Sequence, residues 1–343
     1  MNSVSICTDQ SRYMQSSWMF DATARLDIPT VHASIRRFPE NEADQLWELV
    51  RRRNVFARHS WENNFYLQRV EALKGHTIVE VTRPGDPDEM IEQAQRVAST
   101  VESTALLSVS LRWPREDIQR RLAITTHRRP TLDLTVGREC YYLRSRFRGV
   151  EPGRGVTLDS QACRRYTRCG FCSLASLCLG NLPIGCRVAT AVRWLVESRQ
   201  EPLLDAAIVK TAIALETLLV SNESDPLVRV LSERSAFILS PAPSIRERIS
   251  KIVKRFYAAR SGIVHGSRKK ASELSPTLLE AVDRLAILVC LIFAANTDRW
   301  PSHEELQRWG EGQRWGQPTT DVVTPFPSSY FSNALALAER RAT

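Results

Sequence analysis

The run from Ser244 to Gly266 constrains the chain most. Ile245, Ile249, Ile252, Phe256, Ala259 and Ile263 recur at intervals of three and four residues, so they line one side of an α-helix. Arg246, Arg248, Lys251, Lys254 and Arg255 fall mostly on its other sides. Pro241 and Pro243 interrupt the chain upstream, Ser244 with Glu247 fits a capping box, and Gly266 fits a helix stop. An apolar stripe of this kind has to be buried against further helices.

The neighbouring segments supply them. Residues 185–199 set Val188, Val192, Leu195 and Val196 on one side, and residues 202–219 do the same with Ile208, Ala212, Leu215 and Leu219. Ser224-Asp225-Pro226 and Ser275-Pro276 read as the starts of two more helices. Short connections between amphipathic helices imply an up-and-down bundle. A short helix opens after Trp300, with His303 expected to be exposed at its start. Beyond Trp309 the chain turns rich in Gly and Pro.

The N-terminal half has a different pattern. Residues 76–82 alternate in polarity as a half-buried strand does, and Pro and Gly at 84–87 end it. Further strands are expected at 18–20, 30–35, 131–136, 141–147 and 156–158. Helices are expected at 42–53, ending in the basic run Arg51–Arg53, at 88–109 and at 115–124. The expected fold class is therefore an α+β N-terminal domain, residues 1–160, followed by an all-α helical bundle at 186–300. A Cys-rich connector at 161–185 joins them, and residues 301–343 are expected to form a short helix and a mobile polar tail, the alternative being that residues 330–337 dock on the body. Gly153 and Gly155 lack the Lys and Ser/Thr of a phosphate loop, so the first half shows no catalytic set.

Charge points to the class of partner. The net charge of +9 favours an anion. Lys251, Lys254, Arg255, Arg268, Lys269 and Lys270 cluster around the long helix and are candidate contacts to RNA phosphates, which give affinity without sequence readout. The first residues lack the basic and apolar regions of a secretory signal, and the apolar run 285–295 is shorter than the roughly 20 residues of a membrane span. A cytoplasmic protein with no membrane partner is expected.

The end of the long helix carries the candidate chemistry. Arg260 cannot lose its proton and so stabilises negative charge, whereas His265 can take or give a proton near neutral pH. Together they can move a proton and hold the charge that builds on a phosphate. Five residues on a regular helix turn through about 140°, so the two side chains diverge. They meet only if the last turn loosens near Gly262 and Gly266, or if a second subunit supplies another copy. Ser261 shares a face with His265. The plain alternative makes His265 a helix end and Arg260 half of a structural ion pair. Glu216, among the apolar residues of its segment, is either a surface carboxylate or a group that orients Arg260 or His265.

Ala212-Ile-Ala-Leu-Glu216-Thr-Leu-Leu219, followed by Tyr257-x-x-Arg260-Ser-x-Ile-Val-His265-Gly266, resembles the Apea-like branch of the HEPN family. Val192-Arg-Trp194-Leu195 upstream is similar to that branch as well, and the resemblance covers roughly residues 186–297. It implies a small helical bundle acting as a homodimer, in which Arg260 and His265 match an R-x4–6-H motif. It also implies a metal-independent endoribonuclease of defence or toxin-like systems that needs no cofactor. The expected roles are Arg260 and His265 as catalytic residues, with Glu216, Tyr257 and Ser261 supporting them. Inactive members of the family bind RNA or a partner protein, which is the alternative, together with a zinc-bearing nucleic-acid adaptor.

That last reading rests on cysteines. Cys163, Cys169, Cys172 and Cys178 are spaced C-x5-C-x2-C-x5-C. Four thiolates at such spacing can hold a structural zinc. The same residues also read as buried packing thiols on an apolar helix, or as a redox pair at Cys169 and Cys172.

Overall fold

The computed structural model describes residues 10–17, 19–39, 41, 42, 44, 45, 76–84, 87–122, 130–136, 141–147, 155–220, 226–266, 275–314 and 322–339. The chain divides into two units, residues 1–102 with 120–164, and residues 103–119 with 165–343. This differs from the boundary expected near 160, because the chain leaves the first unit and returns to it.

The first unit is built on strands β1 (Gln10–Ser16), β2 (Phe20–Ala22), β3 (Leu26–Ile28), β4 (Ala33–Arg37), β5 (Thr77–Pro84), β6 (Pro130–Val136), β7 (Tyr141–Phe147) and β8 (Val156–Leu158). Six form a sheet in the order β3-β4-β5-β1-β6-β7, every neighbouring pair antiparallel. β2 pairs in parallel with β8. The register sets Tyr13 opposite Val81, Val81 opposite Ala33, and Val79 opposite Ile35. Partners across a sheet share a face, so these residues make one apolar, buried surface. Glu80 and its neighbours face the other way. There Arg12 and Arg36 each bond both Glu80 and Glu42, closing a ring of four charges. The ring lines a cleft of about 1240 Å³ whose rim includes His32, in the left-handed region at φ 51°. The helix expected at 42–53 is described only at 41, 42, 44 and 45, and Arg51–Arg53 lie outside the described residues.

Helix α1 (Pro87–Ser110) begins in the first unit and ends in the second, and α2 (Arg115–Leu122) runs back. α3 (Ser160–Arg168) crosses the boundary at 164, and the second unit continues with α4 (Phe171–Leu179), α5 (Pro183–Gln200), α6 (Leu204–Leu219), α7 (Leu227–Leu239), α8 (Pro243–Val264), α9 (Pro276–Ala295), α10 (His303–Arg314) and α11 (Ser328–Glu339). α9 is the centre. Every residue from Leu278 to Ala294 is buried, and the helix packs against α4, α5, α6, α7, α8 and α11. Ser275 caps it, its hydroxyl accepting the Leu278 N–H at 3.1 Å. Among the described residues, no single helix is long and apolar enough to cross a membrane. An α+β N-terminal part followed by a helical bundle thus matches the expected class.

A buried ion network crosses the bundle. Arg199 is fully buried between two α9 carboxylates, bonded to Glu280 and facing Asp283 at 3.3 Å. Arg115 donates to the carbonyls of Ser198 and Glu201, satisfying the C-terminal end of α5. Thr211 on α6 donates its hydroxyl to Asp283.

Three expectations need correction, and one open alternative closes. α8 begins at Pro243 with Ala242 as its N-cap, not at a Ser244 capping box, and Glu247 pairs with Lys251 at 2.6 Å. Proline at the first position has no N–H to satisfy, so the helix starts before the serine. The connector at 161–185 is no linker, since α3 and α4 occupy it and α4 packs on α5 and α9. Of the two readings of the tail, mobile or docked at 330–337, the structure shows the docked one, α11 burying Ala334, Leu335 and Ala338. His303 is buried, at 6% exposure, not exposed.

Candidate functional site

α6 and α8 hold the candidate residues. Phe256 and Tyr257 pack edge to face, their ring centroids 5.8 Å apart, and both are buried. The Tyr257 hydroxyl donates to the Ala212 carbonyl of α6 at 2.9 Å. Burial and the nearby Glu216 carboxylate push the Tyr257 phenol well above its ordinary value, so it stays protonated. One turn further on α8 stands Arg260, and one turn further on α6 stands Glu216. Their charged groups approach to 3.6 Å, Arg260 Nη2 to Glu216 Oε1, with each side chain about a quarter exposed at 24% and 26%. That distance is a charge contact and not a hydrogen bond. Arg260 Nε and Glu216 Oε1 are cut off from solvent and have no hydrogen-bond partner. Glu216 is thus half-buried beside Arg260, between the surface and buried placements expected of it.

α8 stays helical to Val264. The His265 N–H donates to the Ser261 carbonyl at 3.0 Å, and Gly266 follows in the left-handed region at φ 69°. His265 is exposed, and Ser261 is half-buried. The last turn does not loosen ahead of the histidine, so Arg260 and His265 leave the axis about 140° apart. Among the described contacts none joins them. The structure therefore brings Arg260, Glu216 and Tyr257 together, and sets His265 apart on the same helix end.

Tyr257 has no free hydroxyl for a phosphate, because burial and the Ala212 carbonyl claim it; it braces α8 on α6 instead. Lys254 is exposed, and Lys251, also exposed, pairs with Glu247 at 2.6 Å. Arg255 is exposed and donates to the Ala338 carbonyl at 2.7 Å. Arg268, Lys269 and Lys270 lie outside the described residues.

Cys169 and Cys178 are buried, Cys163 and Cys172 half-buried. Burial, with Asp159 beside it, pushes the Cys163 thiol up to about 11, and burial raises Cys169 and Cys172 too. Among the described residues, no group of three or more His, Cys, Asp or Glu side chains is placed to hold a metal ion. Cys169 and Cys178 are placed as packing thiols.

Sequence reasoning missed the groups that secure the end of α6 directly after Glu216. Arg187 donates to the carbonyls of Thr217 at 3.1 Å and Val220 at 2.8 Å, and Arg234 donates to that of Leu219. His303 sits by the Leu218 carbonyl, and burial, with Arg187 and Arg234 nearby, lowers its pKa to about 4. Cations at a helix C-terminus satisfy its open carbonyls and its dipole. No sequence spacing signals this, because Arg187, Arg234 and His303 come from three different helices.

No family model, no curated protein and no solved structure matches the chain.

Proposed function

We propose that this protein is a metal-independent endoribonuclease of HEPN type, active as a homodimer and serving a defence or toxin-like system. One observation carries the reading: an exposed imidazole ends the same helix as a guanidinium that lies 3.6 Å from a half-buried carboxylate of α6. In the reaction, neutral His265 takes the proton of the RNA 2′-hydroxyl. The 2′-oxygen bonds to phosphorus, and the bond from phosphorus to the 5′-oxygen breaks. An imidazolium from a second copy gives the leaving oxygen its proton. Arg260 stabilises the charge on the phosphoryl oxygens. The second copy answers the divergence of Arg260 and His265 along one regular helix. Ser261 and the cations of α8 position the strand.

A second reading is a binding module of the same type without catalysis, and the contact of Arg260 with Glu216 rather than with His265 favours it. Incubation of the purified protein with RNA in excess chelator separates the two. Cleavage to 2′,3′-cyclic phosphate and 5′-hydroxyl ends is expected, with DNA intact. Arg260→Ala and His265→Ala should each lower the rate about a hundredfold or more. RNA retained by the protein but never cut would leave the binding module.

A further inference from the structure

Residues 322–339 run along the helical unit as a strap with several anchors. Asn296, at the end of α9, donates Nδ2 to the Val323 carbonyl at 2.9 Å and accepts the Val323 N–H at 2.9 Å. Pro325 closes over Gly170, where a Cβ would meet the proline ring at 3.0 Å. α11 then buries Leu335 and Ala338 against α9. Its last turn reaches α8. There Arg248 donates Nε to Glu339 Oε1 at 2.7 Å, and Arg255 donates Nη2 to the Ala338 carbonyl at 2.7 Å.

The chemistry of this contact resembles that of a bound strand. A helix C-terminus carries open carbonyls and partial negative charge, and Glu339 adds a full one. Arg248 and Arg255 therefore receive from α11 what a phosphodiester offers: acceptor oxygens bearing negative charge. Arg248 and Arg255, seven residues apart, share one side of α8, and Arg255 lies about 7.5 Å along the axis from Arg260 and about 140° around it, so a strand reaches both sites only by crossing the helix surface.

We propose that Arg248 and Arg255 form a phosphate subsite on α8, and that the end of α11 occupies it in competition with RNA. The inference rests on the ribonuclease reading for the identity of the competing anion. Arg248 and Glu339 are 42% and 51% exposed, so their pairing is weak and yields to a polyanion without undocking the buried part of α11.

Fluorescence anisotropy with a labelled 2′-O-methyl RNA tests this on the full chain. Glu339→Gln should tighten binding roughly two- to fivefold, most clearly at low salt. Arg248→Ala should weaken binding more in the Glu339→Gln background than in the unaltered chain, since only there is the guanidinium free. Adding RNA should also speed amide exchange over the last turn of α11. RNA bound and cut equally well with either residue at 339, or an equal effect of Arg248→Ala in both backgrounds, overturns the subsite and leaves the nuclease standing. An unaltered chain that neither binds nor cuts RNA overturns the nuclease reading itself.

Discussion

Tyr257 and Ala212 are joined by a hydrogen bond of 2.9 Å between a buried phenol and a main-chain carbonyl, and this bond sets α8 against α6. Each residue lies one turn before a member of the Arg260–Glu216 pair, so the bond fixes the register in which those charges meet. Tyr257→Phe keeps the ring and removes this bond, while the Ala212 carbonyl keeps its partner within α6. It should cost about 0.5–1.5 kcal/mol of stability by denaturant titration. RNA cleavage should fall by roughly ten- to hundredfold, because a catalytic group displaced by about an ångström acts poorly. An unchanged cleavage rate with the expected loss of stability would show that the brace serves packing alone.

His303 gives the helical unit an acid limit. Its pKa falls from 6.5 to about 4 on folding. Between those values the unfolded chain binds the extra proton, so stability falls as pH drops through that window. The full effect is about 3 kcal/mol. His303→Gln removes the titrating group, and its unfolding midpoint should change less between pH 7 and pH 4 than that of the unaltered chain. Parallel profiles for the two proteins would contradict this.

The ring in the first unit has its own acid sensitivity, of a different origin. Burial alone would raise the Glu80 carboxyl, but Arg12 and Arg36 outweigh it and hold its pKa below the usual 4.5. Its contribution is present above the unfolded value and is lost as pH falls through the folded one. Glu80→Ala leaves Arg12 and Arg36 sharing Glu42 alone. It should destabilise the first unit by about 3–5 kcal/mol, read from the unfolding of its strands in urea.

The helices of the second unit were largely legible because each buries a stripe spaced at three and four residues, and α9 was legible because its run is apolar on every side. Ser275 and Pro276 marked its start correctly for the same local reason. β1 was missed because Tyr13 and Met14 are adjacent and both buried, which erases the alternation that marks a half-buried strand. α11 left the choice between a mobile and a docked tail open because it buries only Ala334, Leu335 and Ala338 and follows a stretch rich in Gly and Pro. At the candidate site, Arg260 and Glu216 were named, but their contact depends on the packing of α6 on α8. Arg187 and Arg234 gave no signal, since a capping cation can come from anywhere in the chain.

Arg199 supplies the sharpest test of what holds the bundle together. It is fully buried, binds Glu280 and faces Asp283, and it ties the end of α5 to the middle of α9. Burial would raise the Glu280 carboxyl, but Arg199 and Arg284 outweigh it and keep its pKa below 4.5. Arg199→Met fills a similar volume without the charge and leaves both carboxylates short of a partner, which should cost about 3–5 kcal/mol at pH 7. At pH 4 the penalty should shrink, because Glu280, left with Arg284 as its ion-pair partner, then takes up a proton more readily. Adding Glu280→Gln to Arg199→Met should restore part of the loss at pH 7, since the buried charge is gone from both sides. A penalty that is the same at both pH values, and that Glu280→Gln leaves untouched, would mean that Arg199 acts through its packed methylenes and not through its charge.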